Sequence, residues 1–413
     1  MSYRRVVITG MGAVTPFGVT VDAYWDALVE GRSGIAPVTH FDTSQFSVRI
    51  GGECAGFRAA DHIDRKTIKR LDRFSQLALV SADEAIRNSG LDLSKEDRRR
   101  IAVVHGSGIG GLSTLEEQHG RLETKGPSKV SAFTIPRLMV NAAAGNISIA
   151  HGLQGPSIAV SSACASATNA MGEALSYIRT NVADVVVTGG SEAALTPLAL
   201  AAFASMKALS TRNDDPTHAC RPFDRNRDGF LLGEGAGTLI FEELEHAKQR
   251  KASILGEVIG FASTSDADHI TQPMEDGTGA AVAMRLALED AALAPAEVDY
   301  INAHGTSTPI GDLAETRAIK QVFGDHAYKL IISSTKSCAG HSLGASGGME
   351  LIATIRAIAN SVVPPTMNLD DPDEGCDLDY CPNVAQDRSI RVALSNSFGF
   401  GGHNACILVR RFE

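Results

Sequence analysis

The sequence predicts an α/β fold made of two similar halves that share one core. Short β-rich runs alternate with longer helical patterns, the signature of parallel or mixed sheets covered by helices. Five such runs precede residue 250 and five follow it. SIAVSSAC running into ASATNAMGEALSYIR is echoed by LIISSTKS running into AGHSLGASGGMELIATIRAI, as an internal duplication requires. Length agrees, since 413 residues suggest roughly two to three domains or repeated halves.

The first run, VVITG at 6–10, follows two arginines and superficially imitates a signal peptide. Thr9 and Gly10 at its exit, then Pro16, and the lack of an Ala-x-Ala cleavage site make it a first strand. IAVVHG (101–106), SIAVSS (157–162), DVVVTGG (184–190) and GTLIFEEL (237–244) complete the first half. ILGEVIGFAS (254–263), VDYINAHG (298–305), LIISSTKS (330–337), IRVALSNSFG (390–399) and ACILVRR (405–411) form the second. EHAKQRKAS, between them, reads as a helix end and not a flexible linker. The expected units are 1–250 and 251–413.

Composition narrows the function. Charged residues at 21% and hydrophobic residues at 44% are globular values and exclude general disorder. A net charge of −10 argues against nucleic acid as the main partner. Seven cysteines, an odd and scattered set, suit reduced thiols in a cytoplasmic enzyme better than a disulfide framework. No apolar stretch approaches a membrane span.

Three motifs are better read as structure. Gly106-Ser-Gly108-Ile-Gly-Gly111 fits G-x-G-x-x-G, but no second strand with an acidic end follows, so backbone packing is expected. Asp224 to Gly229 imitates an EF-hand loop, yet position 235 is Gly and Glu234 falls one residue early. Cys376 and Cys381 lack a second ligand pair for zinc.

The chemistry points elsewhere. Cys164 sits where a strand gives way to a helix, in SSACASA. A helix N-terminus favours a thiolate and offers N–H groups for an oxyanion. Taken alone, a free cysteine is more often a small buried hydrophobe. His304, Lys336 and His341 follow strands in the second half, each near Gly, Ser or Thr. Ligand and catalytic groups gather at the carboxyl ends of strands in α/β sheets.

The order Cys164, His304, Lys336, His341, with NAHGTSTPIGD, SSTKSCAGHSLGASG and NSFGFGGHN, resembles the thiolase-fold β-ketoacyl-acyl carrier protein synthases, most closely their synthase II branch. The resemblance covers essentially the whole chain and implies a five-layered α-β-α-β-α fold and a homodimer paired near Ser157–Val160. It implies an acyltransferase that needs no cofactor or metal. Cys164 would take an acyl chain from acyl carrier protein. His304 and His341 would promote decarboxylation of malonyl carrier protein, whose carbanion attacks the acyl thioester to give 3-oxoacyl carrier protein and CO₂. The N–H groups of Cys164 and Phe400 would form the oxyanion hole. Lys336, with Glu350 beyond it, would organise the site.

Further positions follow from the same resemblance. Thr306 and Thr308 would bind the pantetheine arm, Ile109 and Phe203 would line the acyl pocket, and Phe400 would gate it. Asn302, Glu350, Ser395 and Asn396 match a monovalent cation site of some members. Lys66, Lys69 and Arg70 lie in the dense basic run DRKTIKRLDRF, where the i, i+3, i+4, i+7 spacing through Arg73 predicts one helical face. Such a run is commonly a solvated face. The family docks acidic acyl carrier protein on this segment, with Lys129 and Lys207 nearby. His341 and the STKS motif argue against the initiating synthase III, and Cys406 is not in a degradative thiolase context. A ketosynthase of a type II polyketide or aryl polyene pathway, and a non-catalytic scaffold that binds acyl carrier protein, remain as alternatives.

Overall fold

The structure is a computed structural model and describes residues 3–413. The first half contributes strands β1 (Val6–Val14), β2 (Ile101–Gly106), β3 (Ser157–Val160), β4 (Val185–Glu192) and β5 (Gly235–Glu243). The second contributes β6 (Gly256–Ser265), β7 (Tyr300–Asn302), β8 (Ile331–Ser333), β9 (Val392–Gly399) and β10 (His403–Arg410). They form one hydrogen-bonded ladder ordered β8-β7-β9-β10-β6-β1-β5-β4-β2-β3. From the β3 edge inward the first half reads 3-2-4-5-1, and from the β8 edge the second repeats that order. Directions repeat too: β2 runs parallel to β3 and β4, while β5 is antiparallel to β4 and β1. Likewise β7 is parallel to β8 and β9, and β10 is antiparallel to β9 and β6. Within this ladder the halves join where Val6–Ile8 pairs with Gly256–Val258.

Six helices make three further layers. Helices α1 (Arg73–Ser89) and α2 (Ala142–His151) cover the outer face of the first half. Helices α4 (Thr278–Asp290) and α5 (Pro309–Phe323) cover that of the second. Helices α3 (Ser166–Arg179) and α6 (Ser346–Asn360) lie between, touching strands of both halves. The result is an α-β-α-β-α stack. Helix α3 buries Ala167, Ala170, Met171, Ala174, Leu175 and Ile178, a helical stripe. Its small residues let strands approach closely. Helix α6 buries 12 of its 15 residues, as a helix with sheet on two sides must.

Several expectations need adjustment. Lys66, Lys69, Arg70 and Arg73 do not share one helical face. Asp64 caps a single-turn helix at Arg65–Ile68 and Asp72 caps the new helix α1. Buried Leu71 lies between them. Arg73 then turns inward to Glu234, at 2.8 Å. The run LIISSTKS leaves the sheet at Ser333, so Lys336 opens a one-turn helix instead. Among the described residues no helix is long and apolar enough to cross a membrane. All seven cysteines are free and buried.

Two motifs read as structure have structural partners. Asp224 accepts from the N–H groups of Asn226, Asp370 and Asp371, and Arg227 lies between Asp312 and Asp373. A Cβ at Gly106 would stand 2.5 Å from the Ser166 carbonyl carbon. Backbone contact of β2 with the first turn of α3 therefore requires glycine there. Gly106→Ala should lower unfolding stability by roughly 1–3 kcal/mol, the usual cost of overpacking, as read by chemical denaturation. An unchanged midpoint would mean that α3 is not pressed against β2.

Candidate active site

The third strand of each half delivers a reactive segment. After β3, the chain turns tightly through Ser161–Ala165, with Ala163 at φ 50°. Small polar side chains hold this turn. Ser166 Oγ accepts from Ser162 N at 2.9 Å and donates to Ala163 O at 2.6 Å. Asn169 donates to Ser162 Oγ at 2.7 Å. Cys164 is thereby placed two residues before α3. After β8, the corresponding segment carries Lys336 and His341. His341 is clamped by the first half, donating its N–H to Leu231 O and accepting from Gly233 N.

These segments meet across the two halves. Cys164 Sγ lies 3.0 Å from His341 Nε2. The rings of His304 and His341 are 5.4 Å apart and nearly perpendicular. One ligand-type atom from each of the three residues falls within 4.8 Å of the others. Such a set could hold a soft metal ion, but the Lys336 ammonium, which depresses both imidazoles, opposes a second positive charge. Lys336 and Glu350, each 2% exposed, form a buried ion pair. His304 reaches the site from the turn after β7, its N–H and that of Gly305 both donating to Glu315.

Burial governs the protonation states. It pushes the Cys164 thiol up to about 12, opposed by Lys336 and by the Phe400 N–H. The resting cysteine is therefore a thiol, not the thiolate that its helix position suggested. His304 and His341 are held well below the ordinary imidazole range, first by burial and then by the positive charge of Lys336. Both rings are neutral. His341 Nδ1 meets Ser346 Oγ at 3.0 Å. That hydroxyl can donate or accept, so it supports either neutral tautomer.

A cavity of about 550 Å³ opens onto these groups. Its walls include Cys164, His304 and His341, with Ile109, Phe203 and Phe400 on the apolar side. Thr306, Thr308 and Lys207 also line it, and the two threonine hydroxyls are 3.0 Å apart. Phe203 and Phe400 face each other with centroids 6.3 Å apart. Gly399 must be glycine, because a Cβ there would lie 2.8 Å from Ser162 O and 3.1 Å from Cys164 N. Lys66, Lys69, Arg70 and Lys129 are exposed and lie outside the cavity.

The four residues matched to a cation site lie on β7, β9 and α6. Asn302 pairs with Ser395 across β7 and β9, and Glu350 projects from α6, which packs on β9. Asn302 Oδ1, Ser395 Oγ, Asn396 Oδ1 and the second oxygen of Glu350 are all buried without a hydrogen-bond partner. Such an all-oxygen set fits a hard cation. Asn396 alternates to the other face, where its amide donates to Glu315 at 3.1 Å.

Sequence reasoning missed Ser346, Glu315 and the segment around Asp266–Met274. That segment lines the cavity and is tied to the Phe400 turn. Gly401 N donates to Ile270 O at 2.7 Å, and Asn404 donates to Asp266 at 2.6 Å. No local pattern announces contacts over such separations.

The β-ketoacyl synthase N-terminal domain matches residues 3–247, and the corresponding C-terminal domain matches residues 255–370. The chain is 51% identical to 3-oxoacyl-[acyl-carrier-protein] synthase 2 of Synechocystis sp. over 410 residues, 99% of each chain. It is 49% identical to the protein of the same name from Coxiella burnetii, over 100% of this chain and 99% of the other. A β-ketoacyl synthase from Burkholderia phymatum superposes with TM-score 0.92 at 37% identity, covering 99% of this chain and 100% of that one. A type II polyketide ketosynthase, solved in complex with its acyl carrier protein, superposes with TM-score 0.93 at 35% identity over 100% of both. With both domains matched and about half of all positions shared over the full length, this chain belongs to the β-ketoacyl synthase family.

Proposed function

We propose that this chain is a type 2 3-oxoacyl-acyl carrier protein synthase, the condensing acyltransferase of fatty acid elongation. The observation that carries the reading is the Cys164 thiol held 3.0 Å from His341 Nε2 at the floor of an apolar cavity. Residues 1–250 supply the nucleophile and 251–413 supply His304, Lys336 and His341.

Acylation begins when Cys164 attacks the thioester of an acyl carrier protein. The thiol proton passes through His341 to the leaving pantetheine sulfur. The N–H groups of Cys164 and Phe400 receive the developing oxyanion. Malonyl carrier protein then enters past Thr306 and Thr308. Loss of CO₂ leaves an enolate, whose oxygen accepts hydrogen bonds from His304 and His341. No base is needed, because the departing CO₂ leaves the electron pair behind. The carbanion attacks the acyl-Cys164 carbonyl and forms the carbon–carbon bond; collapse of the tetrahedral intermediate then expels the Cys164 thiolate, which takes up a proton from solvent to restore the thiol.

Other parts of the chain support this cycle. Phe400, flanked by Gly399, Gly401 and Gly402, is free to swing from Phe203 when Cys164 is acylated. Asn302, Ser395, Glu350 and Asn396 would hold a monovalent cation that balances the free Glu350 oxygen. Seven unpaired thiols favour a cytoplasmic location. A polyketide ketosynthase is the second reading, supported by a close superposition, but at 35% identity against 51%.

Cys164→Ala should abolish both acyl transfer and condensation. Cys164→Gln, an amide mimic of the acylated cysteine, should still release CO₂ from malonyl carrier protein. That release should hold as pH falls through 6.5, the ordinary imidazole value, because the depressed pKa values keep both rings neutral. Removing His304 or His341 from that background should cost about 2.7–4 kcal/mol of barrier, as for loss of one oxyanion donor. Near wild-type condensation by Cys164→Ala would refute the assignment.

The exposed basic groups fit an acidic carrier. Reversing Lys66, Lys69 and Arg70 to Glu should raise KM for carrier-protein substrates through slower association. The defect should shrink above ~0.15 M salt, where the Debye length is about 8 Å. Short pantetheine thioesters should be turned over normally. Equal loss on both substrate types would assign the patch to the fold.

A homodimer fits the free edge of the sheet. Strand β3 ends the ladder with Ile158 exposed, and Ile149 on neighbouring α2 is 79% exposed. An open apolar edge invites pairing with a second copy. Sedimentation at micromolar concentration should give a dimer that Ile158→Lys weakens; a monodisperse wild-type monomer would contradict it.

A further inference from the structure

We propose that Glu192 is a positioning residue that clamps the acyl-pocket turn to the His341 segment and so sets acyl-chain selectivity. This rests on the condensing activity proposed above. Glu192 is the last residue of β4 and is fully buried. Among the described residues no cation pairs with it. Instead five donors converge on its two oxygens. Ser107 Oγ donates to Oε1 at 2.9 Å, with Ile109 N at 3.3 Å and Gly110 N at 3.4 Å. Gly108 N donates to Oε2 at 2.7 Å and Gly344 N at 3.1 Å.

The first four donors belong to one half and Gly344 to the other, so a single carboxylate bridges the halves at the cavity wall. The contact admits no side chains. A Cβ at Gly344 would lie 2.2 Å from Gly108 N, and one at Gly108 would lie 3.0 Å from Glu192 Oε2. Both turns present apolar residues to the cavity, Ile109 from one and Leu343 from the other. Leu343 is held at φ 44°, a strained conformation that needs external support. Burial pushes the Glu192 carboxyl up, and the donors on Gly108, Ser107, Gly344 and Ile109 oppose that by favouring the ionised form. Moving Ile109 away from Leu343 therefore means breaking charge-assisted bonds. The geometry resists widening of the pocket at this point.

Glu192→Gln keeps the shape but turns an amide NH₂ toward two or three of the donors. The test is elongation of a ladder of acyl carrier protein thioesters from short to long chains, with wild type alongside. The ratio of long-chain to short-chain kcat/KM should change by about tenfold, the scale of one lost charge-assisted hydrogen bond. Glu192→Asp, which keeps the charge, should restore part of it. Ser107→Ala, which removes one donor only, should shift the ratio in the same direction by a smaller factor and serves if Glu192→Gln does not fold. Decarboxylation of malonyl carrier protein in the Cys164→Gln background should change less than long-chain elongation. An unchanged ratio in both variants, or equal loss at every chain length with no rescue by Asp, would overturn the proposal. A wild type that elongates nothing would instead defeat the proposed function.

Discussion

The buried ion pair of Lys336 and Glu350 sets the terms for the rest of the site. Both side chains are only 2% exposed. Losing one partner of such a pair typically costs ~3–5 kcal/mol. The pair ties the one-turn helix after β8 to α6, and this fixes the path that leads to His341. Its ammonium also disfavours protonation of His304 and His341 and favours the thiolate at Cys164. One charge thus prepares neutral donors for an enolate while opposing the cost that burial imposes on the nucleophile.

Duplication explains why the site lies between the halves. Equivalent strand ends converge there: Cys164 follows β3 and Lys336 follows β8, while Ile109 follows β2 and His304 follows β7. Each half also has a buried carboxylate that collects N–H groups. Glu192 gathers the turn at 107–110, and Glu315 holds the backbone of His304 and Gly305. The halves have diverged in what those turns carry. One presents a thiol and apolar walls, the other imidazoles and a cation.

The Phe400 turn has glycine on both sides of its ring. Gly401 and Gly402 adopt left-handed conformations at φ 84° and 73°, and the Phe400 ring rests against Phe203 instead of packing in the core. The turn leans on the segment after β6 through Asp266 and Ile270. Glycine at these positions permits backbone conformations that other residues would resist. Helices α3 and α6, sandwiched by sheet, have no such freedom.

The sequence by itself determined the ten strands, because alternation of β-rich and helical runs is a local signal, and it determined the duplication, because the two halves echo in order and composition. It also marked Cys164, His304, Lys336 and His341, since each stands at a strand end among small residues. Tertiary structure decided the rest. It turned Arg73 inward to Glu234, although its spacing placed it with Lys66, Lys69 and Arg70. It left Asn396 on the opposite face from Asn302 and Ser395, because side chains alternate along a strand. It made the resting Cys164 a thiol, because burial outweighs the advantage of a helix N-terminus. It also gave Glu192, Glu315 and Ser346 their partners. Those contacts depend on how strand ends from two halves meet in space, and no periodicity along the chain encodes that meeting.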